Sequence, residues 1–231
     1  MRSVMVALLA AIVVLFTVPS ASAQSNIVLG TSTSQLEFLS TGSGNFNLFT
    51  CSSVHNGKCT AGPVQGKATG EGQITGYNGF YAISNNGTKV KGTLTNGQNC
   101  LVCQWMLTGS MNFTFTSKIN GGGVDFLNGT FTLQSMTQTK NIIGGSFNQA
   151  LQVNFTPTGG TLLNFFVNNP TIELNIGFTT AKSIANDPKG NMRFGWITNG
   201  NLSATPEPGT MALLGSGILL VGGFLRKKFG A

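Results

Sequence analysis

Apolar and polar residues alternate along several short runs of this chain, and that alternation constrains its fold more than any other feature. In one run, Met111, Phe113 and Phe115 alternate with Asn112 and Thr114. Successive side chains of a strand point to opposite sides, so this run predicts a strand with one buried and one wetted face. The same alternation recurs in three further runs, which contain Phe131 and Leu133; Leu151, Val153 and Phe155; and Ile172, Leu174, Ile176 and Phe178.

Asn-Gly dipeptides occur between many of these runs. Such pairs begin at residues 56, 78, 86, 96, 128 and 199. Both residue types tolerate the positive φ angles that two-residue hairpin turns require, so the pairs predict hairpins. A composition rich in Gly, Thr, Asn, Ser and Phe favours strands and turns over helices.

These signals predict an all-β domain of about ten to twelve short antiparallel strands. We favour a β-sandwich, with a closed antiparallel barrel as the alternative. The Gly- and Pro-rich segment 156–161 is expected to be a loop, and residues 181–192 are expected to form a longer surface loop.

The N-terminus has the pattern of a secretory signal peptide. Arg2 supplies a positive charge, residues 4–18 are almost wholly apolar, and Ala21-Ser22-Ala23 is a small-residue cleavage site. We expect residues 1–23 to form a signal helix that is cut between Ala23 and Gln24.

The C-terminus has a second membrane pattern. Pro206, Glu207 and Pro208 precede an uncharged apolar run, and Arg226, Lys227 and Lys228 follow it. As a helix, residues 209–225 would span roughly 25 Å, which is short for crossing a hydrocarbon core. The three cations favour a cytoplasmic position for this end, so the chain before it is expected outside.

The tail, residues 205–228, resembles the PEP-CTERM protein-sorting signal of Gram-negative bacteria. The resemblance implies that a membrane-embedded exosortase recognises Pro206, Glu207 and Pro208 together with the helix and the basic end. It also implies export through the inner membrane, a single-pass anchor, and later sorting to the cell surface or extracellular matrix. The expected organisation is a signal peptide (1–23), an exported domain (24–204) and a sorting tail (205–231).

Charge argues against a nucleic-acid partner. Of the 13 Lys and Arg residues, one lies in the signal peptide and three in the tail, which leaves nine against five acids, a net charge of +4. These nine are scattered rather than clustered, so no stretch of the exported part resembles a phosphate-binding surface.

The four cysteines form two local pairs in a chain that is expected to leave the reducing cytoplasm, so disulfides are predicted. Three connectivities are possible, and we prefer Cys51 with Cys59 and Cys100 with Cys103. A zinc site that combines thiols with His55, and a redox-active Cys100-Cys103 pair, are the weaker alternatives. No metal and no cofactor is expected.

Few residues suit acid–base catalysis. His55 is the single histidine, and it adjoins an expected turn. Glu37 and Glu173 lie on alternating runs and could meet in space as a glycosidase pair, but both are expected to face solvent. We therefore expect no enzyme, and a glycoside hydrolase is the least favoured function.

Exposed aromatic side chains could stack on sugar rings, and Trp196 and Tyr81 are the candidates for such contacts. Trp105 and most phenylalanines are expected to fill the core instead. The leading expectation is a non-enzymatic cell-surface or matrix protein, structural or adhesive in exopolysaccharide or biofilm. A carbohydrate-binding module is the alternative, with the exosortase, the membrane and a polysaccharide as partners.

Overall fold

A computed structural model describes residues 25–85, 89–98, 100–118, 123–140, 146–167 and 172–204, and for residues 167, 172–176 and 178 it describes the backbone alone. The described residues lie in one compact unit, Ser25–Thr205. The expected signal peptide and the sorting tail with its helix 209–225 lie outside them, as do the Asn86-Gly87 pair and the side chains of Ile172, Leu174, Ile176 and Phe178.

The described residues of this unit form thirteen strands and two short helices. The strands are β1 (Asn26–Ser32), β2 (Gln35–Gly42), β3 (Asn45–His55), β4 (Lys58–Ala61), β5 (Val64–Glu71), β6 (Asn78–Asn85), β7 (Val90–Leu94), β8 (Val102–Thr108), β9 (Ser110–Thr116), β10 (Asp125–Lys140), β11 (Phe147–Gly159), β12 (Ile172–Thr180) and β13 (Met192–Ala204). The helices are a 3₁₀ turn (Gly72–Ile74) and α1 (Leu163–Val167). No helix in this part of the chain has both the length and the apolar character needed to span a membrane.

All thirteen strands join one antiparallel sheet, which confirms the all-β antiparallel prediction. The order is β1-β5-β6-β9-β10-β11-β12-β13-β2-β3-β7-β8, and β4 pairs with β3 alone. Two further pairings, β1 with β13 and β8 with β10, join each end of this order to a strand within it. The predicted sandwich, with two separate facing layers, stays a prediction.

The long strands β10 and β13 each serve two partners along one edge. β13 pairs with β2 through residues 192–196 and with β1 through residues 200–203, while β12 occupies its other edge. In the same way β10 pairs with β9 near its start and with β8 near its end. The sheet therefore divides into two branches, β1-β5-β6-β9 and β2-β3-β7-β8, and both branches connect β13 to β10.

The core lies on one face of this sheet, as the alternation predicts. Met111, Phe113 and Phe115 are buried in β9, whereas Asn112 and Thr114 are half-buried. The runs in β10 and β11 behave likewise. Ring packing dominates the interior, where the largest fully buried side chains are Trp105, Tyr81, Phe38, Phe46, Phe113, Phe115, Phe131 and Phe166.

Only some of the Asn-Gly pairs form turns. Asn56 and Gly57 have φ angles of 50° and 70° and form the two-residue turn between β3 and β4. The pair at 96 also lies between strands, but the pairs that begin at 78, 128 and 199 lie inside β6, β10 and β13, so those three turn predictions are wrong. Packing explains one of them: a Cβ on Gly129 would lie 2.2 Å from the Phe155 ring.

Two loop predictions also need correction. Strand β11 continues through most of segment 156–161 to Gly159, because it pairs with β10 across a bulge at Gly129. Segment 181–192 joins β12 to β13, but it is not simply a surface loop: Ile184, Ala185 and Asp187 are buried. A locally polar sequence does not exclude burial when the fold supplies polar partners.

Candidate binding site

Glu37 lies on the outer face of the sheet, as the third residue of β2. Its neighbours in the chain, Leu36 and Phe38, are buried in the core, so Glu37 points the other way. Residues paired directly across neighbouring strands share a face, and Glu37 pairs with Phe194 of β13 and with Phe49 of β3. A carboxyl therefore lies between two half-buried aromatic rings on the outside of the sheet.

Despite that outward direction, Glu37 is only 7% exposed. Part of its cover is the disulfide between Cys51 and Cys59, which closes the β3–β4 hairpin. Sγ of Cys51 is fully buried and lies 3.7 Å from Oε2 of Glu37. A disulfide sulfur carries no hydrogen, so it cannot donate to this carboxylate, and only a protonated Glu37 could act as donor between them.

A pocket of about 460 Å³ opens beside this carboxyl. It lies beside an edge of β3 at which the partner strand changes. Residues 46–48 of β3 pair with β7, and residues 51–55 pair with β4. Asn85 of β6 fills the gap in the ladder: its Oδ1 accepts from the amide of Thr50 at 2.7 Å, and its Nδ2 donates to the carbonyl of Leu48 at 3.2 Å. The pocket is lined by Glu37, Leu39, Phe49, Thr50, Cys59, Ala61, Gly62, Pro63, Ser84 and Asn85.

Burial raises the pKa of Glu37 above its ordinary value, because desolvation disfavours the charged form. All nine cations of the exported part lie within the described residues, and none of them lines the pocket. The expectation that Glu37 is a solvent-facing residue is therefore wrong. Strand alternation gives the direction of a side chain but cannot show that a hairpin from elsewhere will cover it.

A metal site is the first alternative to consider here. Ligand atoms of Glu37, Cys51 and Cys59 all lie within 4.8 Å of one another. Both sulfurs belong to the disulfide, however, and metals are bound by thiolates. The oxidised protein therefore offers one carboxylate at this place. His55, at the exposed end of β3, is not part of the group.

A carboxyl pair for glycoside hydrolysis is the second alternative. Glu37 pairs with Phe194 of β13, whereas Glu173 pairs with Ser203, nine positions further along the same strand. At about 3.3 Å per residue those two places are roughly 30 Å apart along β13. Glycosidase carboxyls lie within about 10 Å of each other. The register therefore does not bring these two positions together.

The structure separates the two aromatic candidates for ligand contact. Trp196 is 48% exposed on the outer face of β13, opposite Gln35. Tyr81 is fully buried, and its hydroxyl donates to the carbonyl of Gly30 at 3.0 Å, so the expectation that it contacts a ligand is wrong. The ring lies over Gly66 of the neighbouring strand, a glycine that leaves room for it.

Both disulfides have the preferred pairing. Cys51 bonds Cys59, and Cys100 bonds Cys103 at a bend that leads into β8. The redox alternative requires a helix that begins at Cys100, and an extended strand follows instead. Trp105 lies in the core, as expected, and its indole nitrogen donates to the carbonyl of Gly44 at 2.7 Å.

Comparison with known proteins addresses the tail. Residues 204–228 match the family model of the PEP-CTERM protein-sorting motif. The chain carries a PEP-CTERM sorting signal. This motif implies an exported protein that an exosortase processes. No curated protein and no solved structure matches the chain. The motif thus concerns sorting, and what the exported domain binds must be argued from its own residues.

Proposed function

We propose that this chain is a non-enzymatic protein of the cell surface or extracellular matrix, with a structural or adhesive role in exopolysaccharide. The observation that carries the proposal is the sorting motif at residues 204–228. The two disulfides support it, since such bonds persist in oxidising compartments outside the cytoplasm. Before sorting, the tail would anchor the chain as a single pass through the inner membrane.

The test of sorting is replacement of Pro206, Glu207 and Pro208 by alanine in a Gram-negative host that has an exosortase. The wild-type protein should reach the cell surface or the medium with a mass that shows loss of the tail. The triple variant should stay in the inner membrane with residues 24–231 intact. The exposed Glu71→Ala variant is the control and should behave as wild type. Identical fates for the triple variant and the wild type would contradict the proposal.

Carbohydrate binding is a second candidate, and the outer face of the β13-β2-β3 region favours it. Trp196 is half-exposed there, and the row of Phe194, Glu37 and Phe49 lies two residues further along the strands. An exposed indole next to polar groups is a surface on which a sugar ring can stack.

Glycan binding by the Trp196→Ala variant tests this candidate. The matched control is Met106→Ala, which removes a 62% exposed apolar side chain from β8. Binding that is lost with Trp196→Ala and kept with Met106→Ala supports a glycan site on this face. Equal binding by both variants, or no glycan bound by the wild type, would reject it.

A further inference from the structure

We propose that the pocket beside Glu37 binds a primary ammonium group and that, on the glycan-binding function proposed above, this group belongs to an amino sugar with a free amine. Three observations on the described residues support it: a buried carboxyl without a cation beside it, the contrast with the buried acid Asp187, and the size and wall of the pocket.

The first observation is an uncompensated carboxyl. Glu37 is only 7% exposed, and among the described residues its carboxyl contacts the disulfide sulfur of Cys51 at 3.7 Å. Leaving a buried charge without a donor is costly, so this side chain either keeps its proton or acquires a cationic partner. A ligand that brings N–H donors and a positive charge would stabilise the ionised form.

The second observation is the contrast with Asp187, a further buried acid among the described residues. Asp187 is 5% exposed, and Arg193 forms a salt bridge with it. The fold supplies a guanidinium there, whereas none of the nine cations of the exported part lines the pocket at Glu37. The positive charge that would complete Glu37 therefore has to come from outside the domain.

The third observation is room and shape. A volume of about 460 Å³ falls within the roughly 300–1,000 Å³ typical of small-molecule sites, and a monosaccharide fits within it. Phe49 gives the pocket an aromatic wall that suits both a cation and the apolar face of a sugar ring. Ser84 contributes a hydroxyl to the lining, while Leu39 and Pro63 contribute apolar surface.

The competing ligands fit less well. An anion would face a carboxylate with no cation beside it. A divalent metal prefers several oxygen ligands, and Glu37 is the one carboxylate among the lining residues. A neutral sugar could accept or donate hydrogen bonds in the pocket but would leave the charge of Glu37 uncompensated. Of these ligand types, an ammonium group is the one that would neutralise the charge of the Glu37 carboxylate.

The experiment is an NMR titration of the mature protein at neutral pH with three probes: glucosamine, glucose and methylammonium. Glucosamine and glucose differ at one position, where an ammonium replaces a hydroxyl. We expect glucosamine to shift the signals of Glu37 and Phe49 and to bind at least about tenfold more tightly than glucose, as a charge-assisted hydrogen bond predicts. Glu37→Gln should remove this preference, and the exposed Glu71→Gln should keep it.

Equal affinity for glucose and glucosamine, unchanged glucosamine binding by Glu37→Gln, or no shift with any probe would each overturn the proposal. If Glu37→Gln does not fold, N-acetylglucosamine replaces the variant, since acetylation removes the charge from the ligand. Methylammonium carries the ammonium group without a sugar, so it tests the ammonium site separately from the proposed glycan binding. Shifts at Glu37 with methylammonium but with neither sugar would support the ammonium site and reject the sugar ligand.

Discussion

Two buried acids, Glu37 and Asp187, show how differently one domain can accommodate a carboxyl. Both lie where a surface position is expected from the sequence, and both are almost inaccessible to water. Asp187 lies in a segment that hydrogen-bonds β2: the amide of Gly190 donates to the carbonyl of Ser40 at 2.9 Å, and Arg193 forms an ion pair with the acid. Among the described residues that line the pocket beside Glu37, none is a cation. Burial with a partner is what a structural ion pair requires, whereas the burial of Glu37 without one is what the proposed ammonium site would explain.

The pKa directions agree with that contrast. Desolvation is the largest influence on both groups and raises the pKa of each. For Asp187 the Arg193 guanidinium opposes the rise, through a hydrogen bond and through its charge. For Glu37 desolvation acts unopposed. The fold thus reduces the free-energy cost of ionising the buried Asp187 carboxyl but does not reduce that of Glu37.

The largest effect is expected from Arg193→Ala. It would leave Asp187 buried without its cation, and breaking a buried pair costs about 3 kcal/mol or more when little water can enter. Urea unfolding at neutral pH measures the loss. The control is Lys189→Ala, an exposed cation of the same segment, which should change stability by less than about 0.5 kcal/mol. A similar small change for Arg193→Ala would show that the pair is not structural.

A somewhat smaller effect is expected from removal of the Cys51–Cys59 disulfide by double alanine substitution. The chain-entropy model gives about 2.5 kcal/mol for its sequence separation of 8 and about 1.6 kcal/mol for the separation of 3 in Cys100–Cys103. The first variant should also admit water to Glu37, so that its pKa, followed by NMR, moves down towards the ordinary value. In the Cys100–Cys103 variant that pKa should not move. The opposite pattern would mean that the disulfide does not shield Glu37.

The smallest effect, and the most diagnostic, is expected from Glu37→Gln. A raised pKa in the fold means that the native state holds its proton longer than the unfolded chain. Wild-type stability should therefore fall as pH rises from the ordinary carboxyl value of 4.5 through the raised value. The variant should melt at a higher temperature than wild type at neutral pH and should match it in acid.

Thermal unfolding between acid and neutral pH measures this difference, with Glu71→Gln as the exposed control that should show none. If Glu37→Gln is instead less stable at neutral pH, and the deficit grows with pH, the native protein must supply an ionic partner to Glu37. The contrast between the two acids would then fail, and the ammonium site with it.

Part of the site could be anticipated from local sequence. Alternation locates β9 and the runs in β10 and β11, and Asn56-Gly57 locates the turn that brings Cys59 back towards Cys51. The same dipeptide inside β10 and β13 shows the limit of that signal. Gly129 gives room to the Phe155 ring, and only the packing of neighbouring strands reveals that need.

The pocket itself could not be anticipated in this way. Its wall combines β2, β3, β4, β6 and the segment after β4, which meet because β3 changes partner along one edge. Asn85 bridges that gap from a strand more than thirty residues away in the chain. No periodicity around Glu37 or Asn85 encodes such a meeting.

The sequence by itself determined the strand-rich character of the domain and the sorting signal in its tail, and it favoured the near-neighbour cysteine pairing that the structure has. Each of these depends on chemistry within a few residues: alternation of side chains, short loops, and a proline-flanked apolar run with a basic end. Only the tertiary structure decided that Glu37 is covered while Trp196 is exposed, although both point outward. Solvent access at a strand position depends on which distant segment packs over it, and that is a property of the whole fold.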